Sequence, residues 1–138
     1  MEQIVVGFDG SEHSRRALER AANFAGDRTV LSVVCAADVA RLLRDPAGGT
    51  GPVDPADAEA RTAALAEART YLEGRGINAR LVEGHGNPAD VIVQEAEDSG
   101  ADLIVVGTRG LNAAKRLVLG SVSTNVVHHA PCDVLVVR

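Results

Sequence analysis

Aromatic residues are nearly missing from this chain: there is no tryptophan, and Phe8, Phe24 and Tyr71 are the only aromatic rings in 138 residues. Binders of single-stranded nucleic acid stack bases on aromatic side chains, and three scattered rings form no such platform. Positive charge is also in deficit. Fourteen Lys and Arg against nineteen Asp and Glu leave a formal charge of -5 and a pI near 5.3, which removes the long-range attraction that drives nonspecific binding to nucleic acid or an anionic membrane. Neither is an expected partner. There are only two cysteines, Cys35 and Cys132, both in strongly apolar runs. They have neither the density of a disulfide scaffold nor the His spacing of a zinc site, so both are expected to be core thiols and no metal ligands are assigned. No apolar run approaches the length of a membrane span, and Met1 is followed by Glu2 rather than a basic leader. The expected location is cytoplasmic.

What is present is an alternating pattern. With 46% apolar residues the chain can bury one core, and residues 1–138 are expected to form a single domain. Ile4-Val5-Val6-Gly7-Phe8 reads as a buried strand, followed by Ala17, Leu18, Ala21, Ala22 and Ala25 at helical spacing with Ser11 as N-cap. Val30 to Cys35 is a second strand. Residues 45–55, rich in proline and glycine, read as a flexible connecting loop. A helix after Pro55 ends at Gly74, and Ile77 to Val82 makes a more polar strand suited to a sheet edge. Asn87 as cap, Pro88 at the first helical position and Gly100 as terminator punctuate a third helix. Ala101 to Val106, residues 121–130 and Val134 to Val137 complete a β-α-β-α-β-α-β-α-β series. Strands that are apolar throughout, separated by helices, imply a parallel sheet covered on both faces. The fold class is α/β, doubly wound, and such sheets bind ligands beyond the strands' carboxyl ends where the winding reverses.

The stretch "GTRGLNAAKRLVLGS", residues 107–121, falls at that position. Gly107 ends the fourth strand without a side chain to block a flat group, and Gly110 can turn the loop back. Gly120 precedes Ser121-Val122-Ser123, whose amides open the last helix. Free amides and the helix dipole favour an anion, most often phosphate, and the Ser121 and Ser123 hydroxyls could add donors. The better-known phosphate motifs do not fit: Ser121 lacks the preceding lysine of a P-loop, and no G-x-G-x-x-G follows the first strand.

These residues resemble the universal stress protein family, whose G-x2-G-x9-G-Ser/Thr motif is matched by Gly107, Gly110, Gly120 and Ser121, with Leu111 to Leu119 as spacer. "VVGFDGSEHS" near the start and "LVLGSVSTNVVHHAPCDVLVVR" at the end carry the resemblance further; it is weakest from Asp38 to Asp57. It implies a five-stranded sheet in the order 3-2-1-4-5, ATP as cofactor with or without Mg2+, and homodimers paired through the last strand. It places Asp9 at the ribose or adenine with Gly7 beside it, and Val34 against adenine through its backbone. Val106 and Gly107 would line the nucleoside pocket. Gly110, Gly120, Ser121, Val122 and Ser123 would hold the phosphates.

Arg109 is suited to phosphate as well, while Asp9 could serve only as the first residue of an Asp-Gly turn. His128 and His129 are adjacent and so diverge on a helix, which favours solvation over metal binding. His13 and His85 have no partner visible in the sequence. Three functions fit: a nucleotide-dependent regulatory module with an unidentified protein partner, an enzyme that slowly hydrolyses ATP or transfers a phosphoryl or adenylyl group, or a structural dimer holding another adenine nucleotide. Phosphoryl transfer needs a cation and a group that positions the nucleophile, and no base is recognisable.

Overall fold

The structure, a computed structural model, describes residues 2–38, 55–108 and 120–138. Strands β1 (Gln3–Gly7), β2 (Val30–Asp38), β3 (Asn78–Gly86), β4 (Leu103–Gly107) and β5 (Asp133–Val137) alternate with helices α1 (Glu12–Phe24), α2 (Pro55–Gly74), α3 (Pro88–Ser99) and α4 (Ser121–His129). All strand pairs are parallel, in the order β3-β2-β1-β4-β5. The winding therefore reverses between β1 and β4, as expected for the family resemblance.

Residue alternation along each strand divides the apolar runs between two cores. Ile4, Val6, Leu31, Val33, Cys35, Leu103 and Val105 face α1 and α2, while Val5, Val34, Ile104 and Val106 face α3 and α4. Both faces are covered, which is why these strands carry no polar alternation. The two edge strands are more exposed: β3 mixes polar and apolar residues, and Val134, Leu135 and Val136 of β5 are half-buried.

Local signals fix the helix ends. Ser11 caps α1, its hydroxyl accepting the Ser14 amide at 3.3 Å. Asn87 caps α3 by accepting the amides of Ala89 and Asp90, Pro88 takes the first turn, and Gly100 closes the helix in the left-handed region at φ 64°. β3 runs four residues past the expected Val82, because its partner β2 also extends and the two pair over nine residues to Asp38↔Gly86. Gly84, His85 and Gly86 have little strand propensity of their own; the neighbouring backbone supplies it.

Candidate functional site

The carboxyl ends of β1 and β4 lie side by side; α1 follows Asp9, α4 follows Gly120, and α3 packs over β1. Of the residues expected at the site, the structure places Gly7, Asp9, Val34, Val106, Gly107, Gly120, Ser121, Val122 and Ser123 at this end of the sheet. Arg109 and Gly110 lie outside the described residues, as does the 45–55 loop up to Pro55.

The first turn of α4 is the distinctive feature. Gly120 adopts an extended N-cap conformation with no side-chain cap, and no acidic residue occupies the turn. Its own amide donates to the Thr108 carbonyl at 2.7 Å, and its carbonyl accepts the Thr124 amide at 3.0 Å. Among the described residues, the amides of Ser121, Val122 and Ser123 have no acceptor. α1 and α3 differ: each has a side-chain cap and an acid in the first turn, Glu12 and Asp90. An uncapped helix start without a carboxylate is a site where an anion is stabilised.

Several side chains act otherwise than expected. The space a Cβ on Gly107 would take is filled by α1, with the His13 carbonyl carbon 2.8 Å away. Gly7 is filled from the other face by Ile92 Cδ1 at 2.8 Å. On the side-chain side, each of these glycines therefore admits a helix of the protein itself. Ser123 is buried, and its hydroxyl turns to the carbonyls of Thr108 at 3.2 Å and Gly120 at 3.0 Å instead of facing an anion. Gly120 likewise has no free amide to offer. The Val106 side chain packs into the core beside α3 and does not line the crevice. The Val34 carbonyl accepts the Phe8 amide at 2.9 Å, leaving one lone pair.

Asp9 is exposed, and one of its oxygens accepts the Ser11 amide at 2.8 Å. It performs the turn role; among the described residues its second oxygen is uncommitted. Thr108 and His13 were not legible as site residues. Thr108 donates its amide to the Val137 carbonyl, accepts Gly120 and Ser123 at its own carbonyl, and meets His13 Nδ1 at 3.1 Å through its hydroxyl. It ties α1, β5 and the start of α4 together. The only signal in the sequence was a hydroxyl residue next to Gly107. His129 Nδ1 lies 2.9 Å from the Asn125 carbonyl on its own helix.

Cys35, near the end of β2, is a buried thiol that burial and then the Asp9 carboxylate push up to about 11, against an opposing influence from Arg61. Since the thiolate is the nucleophile, native protein at pH 8 is expected to resist iodoacetamide at Cys35 while unfolded protein reacts readily, as mass mapping of the alkylated peptide would report. The raised value also means the fold favours the neutral thiol, so this group's contribution is retained below pH 9 and lost as pH rises through about 11. Equal labelling of native and unfolded chains would contradict this environment.

Comparison with known proteins adds the following. The universal stress protein family model matches residues 1–138. Universal stress protein Rv1636 of Mycobacterium tuberculosis is 36% identical over 145 residues, an alignment covering 98% of this chain and 94% of that protein. Among solved structures, a universal stress protein in complex with cAMP is 30% identical with a TM-score of 0.71, covering 99% of this chain and 96% of the other. The universal stress protein from Archaeoglobus fulgidus in complex with dAMP is 25% identical with a TM-score of 0.77, covering 100% and 98%.

Proposed function

Since the chain belongs to the universal stress protein family, we propose that it binds an adenine nucleotide, ATP, across the carboxyl ends of β1 and β4, and that occupancy controls recruitment of a protein partner. The observation that carries this reading is the uncapped first turn of α4, whose Ser121, Val122 and Ser123 amides lack acceptors among the described residues. The cAMP and dAMP complexes of two structural relatives support adenine nucleotides as the class. Preference for a triphosphate rests on the glycine spacing of Gly107, Gly110, Gly120 and Ser121.

In this arrangement the three α4 amides hold phosphate oxygens, with Arg109 and Gly110 contributing from the sequence that precedes the helix. Asp9 meets the ribose through its uncommitted oxygen, and the base lies toward Val34. Mg2+, where it came with the triphosphate, would neutralise phosphate charge; among the described residues no three His, Cys, Asp or Glu gather into a metal-binding group. The half-buried Val134, Leu135 and Val136 on the β5 edge suit pairing with a second copy, which would cover an otherwise open strand. No described helix is long and apolar enough to cross a membrane.

Regulation is favoured over turnover on chemical grounds. In this arrangement one Asp9 oxygen holds the Ser11 amide and the other is assigned to the ribose, whereas phosphoryl transfer needs a group that orients the nucleophile; hydrolysis, where it occurs, is expected to be slow. A ligand shifts a conformational equilibrium only through differential affinity. Addition of ATP should therefore increase hydrogen-exchange protection of residues 120–124 and change which proteins the chain retains. Unchanged protection together with a partner set indifferent to ATP would remove the regulatory reading.

A further inference from the structure

We infer that Arg61 is a specificity-determining residue of the nucleotide site, its Nε–H serving as a donor to a ring nitrogen of the bound purine. The inference rests on the nucleotide reading above and adds the group that recognises the base. Arg61 lies in the second turn of α2 and is only 9% exposed, an unusual situation for a guanidinium. Its Nη1 donates to the Gly84 carbonyl at 3.2 Å and lies 3.5 Å from His85 Nδ1, which ties it to the end of β3. Nε, however, is buried with no hydrogen-bond partner among the described residues. A buried donor without an acceptor is destabilising, and a guest that supplies one recovers that loss on binding.

Position selects the guest. Arg61 sits where β2 and β3 end, whereas the α4 amides begin where β4 ends. In the order β3-β2-β1-β4-β5 these places are separated by about three interstrand spacings, roughly 14 Å. A lone phosphate cannot touch both; a nucleotide with its phosphates on α4 extends its base toward Arg61. Charge selects further. Asp9 and Glu83 act on the Cys35 thiol in one sense and Arg61 in the other, so two carboxylates already share this corner with one guanidinium. A further anion is disfavoured there, while a neutral ring with lone-pair acceptors and a face for guanidinium stacking is not.

The competing role is a clamp on β3 through Gly84. Arg61→Lys separates the two, because lysine keeps the charge and can reach a carbonyl but lacks Nε–H in a planar fork. Calorimetric titrations of wild type and Arg61→Lys with ATP and with inorganic tripolyphosphate are the test. The expected result is ATP binding weakened about tenfold in the variant, the worth of one such hydrogen bond, with tripolyphosphate affinity unchanged. Equal ATP affinity in the two proteins, or equal weakening toward both probes, would overturn the assignment while leaving the nucleotide site standing. Wild type that binds neither probe overturns the nucleotide reading and this inference with it. Should Arg61→Lys fail to fold, the arginine Nε–H resonances of 15N-labelled wild type decide: the Arg61 signal should shift with ATP and not with tripolyphosphate, and an unmoved signal overturns the assignment.

Discussion

Replacing Ser121 with glutamate is expected to raise the thermal stability of the nucleotide-free protein while weakening ATP binding by about a hundredfold or more. The opposite signs follow from one geometry. Ser121 is exposed at the first position of α4, where the neighbouring amides have no acceptor among the described residues and no acid is present. A carboxylate placed there meets the positive end of the helix and contributes about 0.3–1 kcal/mol. Bound phosphate then faces a like charge at close range; two unit charges about 4 Å apart repel by roughly 4 kcal/mol at the effective dielectric of a protein surface, and water and salt reduce this to a factor of the order stated. Ser121→Gln, which adds bulk without charge, should reproduce neither effect fully. Retained ATP affinity in the glutamate variant, measured beside its melting temperature, would mean that the phosphates lie elsewhere.

The second large effect concerns Gly107. Substituting alanine puts a carbon 2.8 Å from the His13 carbonyl carbon and 2.9 Å from its oxygen, far inside the 3.5–4.0 Å of an ordinary carbon contact. The obstructing atoms are backbone in the first turn of α1 and cannot rotate away, so α1 must shift off β4. Overpacking of this kind costs about 1–3 kcal/mol, and the upper end is expected here, lowering the melting temperature by about 10 °C in a domain of this size. Gly7→Ala is the natural comparison. Its closest contact is the Cδ1 tip of Ile92, which can change rotamer, so its penalty should be smaller. A Gly107→Ala protein of unchanged stability that loses only nucleotide affinity would restore the view that this glycine clears space for the ligand.

These two sites also show what the sequence could disclose. Asn87, Pro88 and Gly100 each act through a local backbone preference, so the limits of α3 were legible from residues a few positions apart. The start of α4 was legible for the same reason: Gly120 without a capping side chain implies unsatisfied amides. A glycine at a strand end, by contrast, says that something approaches closely without saying what. At Gly7 and Gly107 the approaching groups are Ile92 and His13, brought in by tertiary packing. The direction of the Ser123 hydroxyl depended on Thr108, and the contact between Thr108 and His13 joins residues 95 positions apart. No short-range pattern encodes such a pairing. Arg61 is the same kind of case, since helical periodicity alone places it no differently from any exposed arginine on α2.

The proposed nucleotide site requires the amides opening α4 to hold the phosphates. It is tested most directly by following the backbone amide resonances of Ser121, Val122 and Ser123 in 15N-labelled protein as ATP is added. Saturable shifts are expected at all three, larger than at the capped starts of α1 and α3. Resonances that stay in place at millimolar ATP would contradict it.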